Sequence, residues 1–241
     1  MLDYTNIIKE LDNINKGKAM KYVILIAIIA NILYSYNSKE INNFYNNYYS
    51  SKDYDINLLK ANNSQTYKNI YYLITSKNIS SDKEKYDYLK KAIDENKNYS
   101  TSKDIDYLTS ISELMNYIIY YSSLPDKISY GKKSKEIYKN ILKIDSSNFF
   151  ALLGTAIGYM HAPTIAGGSD KKAFEYFNRA LNNSKEKYQK YLSYVWLSQY
   201  YFKIKDDENY QKYIDMSRSV YQDGILLKEA IERNKTKKKP L

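Results

Sequence analysis

Residues 160–181, MHAPTIAGGSDKKAFEYFNRAL, concentrate what the rest of the chain lacks. Seven Gly, three Pro and one His serve all 241 residues, yet His161, Pro163, Gly167 and Gly168 fall within eight positions. A histidine beside a glycine turn is raw material for acid–base catalysis or metal binding. A working imidazole, however, needs a carboxylate to orient it or further ligands to share a metal. There is no second histidine and no cysteine, which excludes a zinc site built on either. Ser169 is not the nucleophile of a sharp strand-to-helix elbow, because Lys171 stands where that motif needs glycine. "GKKS" at 131–134 lacks the earlier glycine of a phosphate-binding loop. Carboxylates are plentiful, but nothing marks a catalytic pair. The expectation is therefore a protein that is not an enzyme and uses no metal or cofactor.

The same residues read better as a corner. Pro163 ends a helix, because the residue before a proline avoids helical geometry. Gly167 and Gly168 permit positive φ and turn the chain. Ser169 or Asp170 then caps the next helix, and Asp170 would repel an anion attracted to that helix start. His161 is expected to pack beside Pro163 or to bond the loop backbone. Gly154 and Gly158 read as points of close helix packing.

Sparse Gly and Pro argue for mostly helix, in a chain long enough for one domain with a real core. Tyr outnumbers Phe by 30 to 6, and Lys far exceeds Arg, which fits the codon bias of an AT-rich genome more than an aromatic binding function. The net charge is +10, of which residues 231–241 supply +4 from five basic residues and one acidic. That run reads as a solvated, disordered tail. Elsewhere charges of both signs are interspersed, without the clustered Arg face of a nucleic-acid reader, so no nucleic-acid partner is expected.

"MKYVILIAIIANILYSYNS", from Met20, has a basic start, an apolar run from Tyr22 to Leu33 and then small polar residues. This is the layout of a secretory signal peptide, and the run falls short of the roughly 20 residues of a spanning helix. Residues 1–19 then read as an overlong start, and 20–38 as a signal peptide cleaved after Ser35 or Ser38, or as an anchor holding residues 22–36 at the inner membrane. The body, residues 39–230, is expected to be periplasmic or secreted.

From about residue 53 the apolar positions recur at three and four, the spacing of one helix face. In "KYQKYLSYVWLSQYYFKI" they are Tyr188, Tyr191, Leu192, Val195, Trp196 and Phe202. Turn signals cut the chain into segments suited to paired helices. Alternating strand patterns are absent, so the predicted fold class is all-α. A repeated spacing of four and three also emerges: Ala173, Phe177 and Ala180; Ser134, Tyr138 and Ile141; Tyr210, Ile214 and Ser217; and Lys85, Leu89 and Ala92. Small residues at the ends of such a triplet let a helix approach its partner, and the large one fills the groove between.

This spacing resembles the second helix of a tetratricopeptide repeat. "YVWLSQYY" (Tyr194, Leu197, Ser198, Tyr201) resembles the first helix, and "LLGTAIGY" (Leu152, Ala156, Tyr159) does so in part. The resemblance covers about residues 64–221 and implies a stack of about four helical hairpins, an α-solenoid. Its large residues lie 49, 39 and 37 positions apart, against 34 in the family. The excess falls in two insertions, one between Tyr159 and Ala173 and the other "YYSSLPDKISYG" with Pro125, expected as extended loops on one edge. The Pro, Gly-Gly and following helix are also similar to the T component of tripartite periplasmic transporters, which works with a solute-binding protein.

In the tetratricopeptide family the first helices line a concave binding surface. Carried over, the resemblance implies Phe150, Leu153, Ile157 and Met160 in the third unit, Leu192, Val195, Gln199 and Phe202 in the fourth, and Asp106, Thr109, Glu113 and Asn116 in the second. This face would be acidic at one end and apolar at the other. It is either an open groove or a core closed by the last helix. The expected function is a binding scaffold for another envelope protein or peptide segment. The alternative is a transporter partner that holds a small organic ligand.

Overall fold

The computed structural model describes residues 39–237 and 239–241. Expectations for residues 1–38, the overlong start and the signal or anchor segment, lie outside the described residues. The chain divides into two compact units, residues 1–45 and 46–241. Helical residues 39–49 (α1) cross that division.

The described residues are all-helical, without a strand. After the short α2 (Asn57–Ala61) come eight helices, α3 (Gln65–Ser76), α4 (Asp82–Asp94), α5 (Ile105–Ile118), α6 (Leu124–Ile144), α7 (Phe149–His161), α8 (Asp170–Asn182), α9 (Lys187–Ile204) and α10 (Asp207–Val220), and then α11 (Ile225–Lys237). Their starts are written in capping residues. Ser81, Asp104, Ser123, Asn148, Ser169 and Asp206 each accept a backbone N–H from the first turn of the helix that follows. Glu186 and Gln189 form a reciprocal capping box at the start of α9.

Consecutive helices pack in adjacent pairs: α3 with α4, α5 with α6, α7 with α8 and α9 with α10. Each second helix also packs on the next first helix, and α3, α5, α7 and α9 touch in chain order. The four-and-three spacing marks the buried faces. Leu89, Ala92, Ile141, Ala173, Phe177 and Ala180 are fully enclosed, and Ser134, Tyr138, Ile214 and Ser217 are buried with them. Gly154 allows the closest approach, since a Cβ there would lie 2.3 Å from the Tyr138 ring. Gly158 differs from expectation. It faces open space, so it is not a packing point.

Two further expectations change. The Pro125 insertion is no extended loop. Ser123 caps, Pro125 falls in the first turn where its missing N–H is harmless, and the insertion lengthens α6 to 21 residues. Residues 231–237, expected as disordered tail, continue α11, and Leu241 is buried. The reason is a spacing of three and four, Leu227, Ala230 and Asn234, that buries one side of an otherwise polar helix.

Candidate functional site

The inner face was expected to run along α5, α7 and α9. On α5, Thr109 is buried, while Asp106, Glu113 and Asn116 are partly so. Desolvation, with a smaller push from Asp104, raises the pKa of the Asp106 carboxyl. Burial first, then the charge of Glu113, raises the pKa of the hydroxyls of Tyr49 and Tyr138. Asn116 donates to the Tyr138 hydroxyl at 3.0 Å. On α7, Leu153 and Met160 are buried and Ile157 is half-buried. Phe150 stacks on Tyr188 with ring centroids 6.2 Å apart. On α9, Leu192 and Val195 are buried, and Phe202 meets the Tyr210 ring at 5.5 Å.

Part of this face is already covered. Tyr49 stacks on Tyr188, centroids 6.3 Å apart and planes 12° off parallel, and lies 6.2 Å from the Tyr191 ring. The Asn46 side-chain oxygen accepts from the Tyr188 backbone N–H at 3.2 Å and from the Tyr221 hydroxyl at 2.5 Å. The Ser51 hydroxyl donates to the Asp223 carbonyl at 2.7 Å. These bonds hold residues 46–51 against α9 and the turn after α10.

Helix α11 covers more of α9. The Tyr191 hydroxyl accepts from the Leu227 N–H at 2.8 Å, and a Cβ at Gly224 would strike that hydroxyl, so glycine is required there. Gln199 and Asn234 exchange amide hydrogen bonds at 3.0 and 2.9 Å. Tyr210 donates to the Asn234 oxygen at 3.2 Å, and the Leu241 N–H donates to the Gln199 oxygen at 3.1 Å. Gln199 is thus fully buried, 0 % exposed, in a polar seam between helices. Of the two alternatives, the closed one holds along this part of α9, and Gln199 offers no contact to a partner while α11 is seated. The sequence left closure by the last helix open, and reading residues 231–241 as a tail hid how far that helix runs, because its charge masked the Leu227, Ala230 and Asn234 stripe.

Near α11 lies a cluster of cations and rings. The Lys77 ammonium, at the end of α3, approaches the Tyr48 ring at 5.4 Å and the Tyr117 ring at 5.9 Å. Burial works to lower its pKa, but Tyr48 and the Glu229 carboxylate outweigh burial and raise it. Arg233 lies 5.4 Å over the Tyr120 ring. Such contacts let a cation leave bulk water at reduced cost.

The loop with the rare residues is a corner. His161 ends α7, and Ala162 takes the extended geometry expected before Pro163. Thr164–Ala166 form one 3-10 turn. Gly167 has φ +86°, as expected, whereas Gly168 does not have positive φ. Its requirement is space, because a Cβ there would lie 1.8 Å from the Ala162 carbonyl oxygen. Ser169, rather than Asp170, is the cap. Lys203 of α9 fastens the corner by donating to the Met160 carbonyl at 2.7 Å and to Asp170 at 2.5 Å. The His161 ring presents an edge to Trp196, with centroids 6.3 Å apart. Desolvation, then the nearby charges of Lys203 and Arg233, push its pKa down to about 4. Among the described residues, no group of three His, Asp or Glu side chains gathers as metal ligands.

Set against known proteins, the chain matches no family model, no curated protein and no solved structure.

Proposed function

We propose that this chain is a non-catalytic, tetratricopeptide-like helical scaffold that binds a helical or extended segment of another protein along the inner face of its first helices. One observation carries the reading: that face already receives a helix. Helix α11 lies along α9 through an apolar stripe and one specific polar seam, Gln199 with Asn234. Those are the elements by which grooves recognise amphipathic helices. The adjacent pairing of α3 to α10 supports a stack of hairpins, and half-buried Phe150, Ile157 and Phe202 leave ring and methyl surface for a partner. The layout of residues 20–38 supports work outside the cytoplasm, with an envelope protein as partner. A small organic ligand has less support, since Tyr49, Tyr191 and Leu227 occupy space an apolar ligand would need.

Photo-cross-linking tests the reading. A benzophenone amino acid at Ile157 or Phe202, activated in intact cells, should give adducts with a second polypeptide. Labels at exposed Ser146, on the far turn, should not. If Ile157 and Phe202 yield only adducts within the chain, the scaffold reading fails.

A further inference from the structure

We propose that the edge of the helical unit formed by the start of α6 and the loop between α7 and α8 is a contact surface for an anionic lipid bilayer. The proposal does not depend on the inner-face reading. Leu124 and Ile128 lie one turn apart on α6, 71 % and 52 % exposed, and Lys135 continues the same stripe. The Lys135 ammonium approaches the Tyr159 ring at 5.9 Å and the backbone at Gly167, so this stripe borders the loop. At the tip of that loop Ile165 is 100 % exposed.

The loop that carries Ile165 is fastened on both sides of it. The Ala166 and Gly168 N–H groups both donate to the Pro163 carbonyl, at 2.8 and 3.0 Å, and Gly167 donates to Thr164 at 2.9 Å. Ser169 N–H donates to the Tyr159 carbonyl at 3.0 Å, and Lys203 ties both ends of the loop. The extra turns of α6 likewise carry Leu124 and Ile128 outward. The fold therefore presents three bare aliphatic side chains at one edge, two on a helix and one on a hydrogen-bonded loop.

The charge around them is positive. Lys127, Lys135, Lys171 and Lys172 are exposed here, and none pairs with a carboxylate among the described residues. The edge's two aspartates are engaged: Asp126 accepts from Tyr86 and Ser123, and Asp170 is paired with Lys203. Separate aliphatic tips among lysines match an anionic bilayer, which admits methyl groups between headgroups while its phosphates meet the cations. A folded protein partner would instead favour one continuous apolar patch.

The absence of cysteine makes the test clean. In the full chain, Ile128→Cys, Ile165→Cys and Ser146→Cys are each labelled with an environment-sensitive fluorophore. Vesicles of phosphatidylcholine, with and without phosphatidylglycerol, are then added. With phosphatidylglycerol, the 128 and 165 labels should shift to the blue and be quenched several-fold by nitroxide-bearing lipid, while the 146 label stays unchanged. Raised salt or Lys171→Glu with Lys172→Glu should reverse the shift. Co-sedimentation without a shift at 128 and 165 would assign vesicle binding to another segment and overturn the proposal. So would equal quenching at all three sites, no response to any vesicle, or a shift produced by soluble envelope protein but not by lipid.

Discussion

Replacing Asn234 with Leu tests whether α11 is seated by a specific polar seam or merely by apolar contact. Asn234 is buried and makes four side-chain hydrogen bonds: two with Gln199, one from Tyr210 and one to the Lys239 carbonyl. Leucine has similar volume, so little packing is lost, but Gln199 is left buried with its amide poorly matched. Its nitrogen keeps only Ser198 at 3.3 Å, and its oxygen only the Leu241 N–H at 3.1 Å. A net hydrogen bond contributes about 1 kcal/mol and a stranded buried amide costs about 1–3 kcal/mol, so Asn234→Leu should cost about 2–4 kcal/mol. For a unit of this size Tm should fall by about 5–15 °C. Adding Gln199→Leu removes the stranded amide and should restore much of the loss, because two apolar partners in place of two polar ones can be nearly neutral. Urea unfolding followed by circular dichroism, run as a double-mutant cycle, measures both terms. A cost for Asn234→Leu below about 0.5 kcal/mol, or strictly additive effects, would refute the reasoning.

Glycine substitutions separate two roles. Gly168→Ala should cost more than about 1 kcal/mol, because its Cβ meets the Ala162 carbonyl, whereas Gly158→Ala, inside α7 and facing open space, should stabilise by about 0.5–1 kcal/mol. Thermal melts giving the two the same sign would show that the corner is drawn incorrectly. Ala173→Leu and Ala180→Leu should each overpack the α7–α8 contact by about 1–3 kcal/mol, and unchanged melting of both would move the register of α8. The His161 pKa is lowered by desolvation, Lys203 and Arg233, so below the ordinary value of 6.5 the unfolded chain binds a proton that the native one refuses. Stability should therefore decline as pH falls from 6.5 toward 4, and His161→Ala should flatten that decline. The only imidazole resonance in the NMR spectrum should titrate below 6.5, and a midpoint at or above that value contradicts the packing against Trp196.

The helical class and the pairing were legible because apolar spacing and capping residues are local. Ala173, Phe177 and Ala180 announced a buried face, and Ser169 announced a helix start. What escaped depends on contacts made far along the chain. Nothing local to Gly168 or Gly158 tells that one abuts a carbonyl and the other faces open space. Pro125 looked like a loop residue, because a proline two places after a serine cap serves a helix start as well as a break. The sequence could not decide between an open inner face and one closed by the last helix, since the seam between Gln199 and Asn234 that decides it spans 35 residues. The wealth of Tyr proved structural in part: Tyr188 and Tyr191 are among the largest fully buried side chains.

The clasp made by Asn46 and Ser51 changes how such a chain comes apart. Helical pairs that touch only their neighbours unzip from either end, each pair melting nearly on its own. Here Asn46 bonds residues 142 and 175 positions away, and Ser51 reaches 172 positions. These contacts tie the first described helix of the unit to α9 and to the end of α10. Fraying at either end must then first break the clasp, so the first and last helices gain a shared melting transition. Forming the clasp requires the ends of a long loop to meet, a step that local contacts alone would not impose on folding.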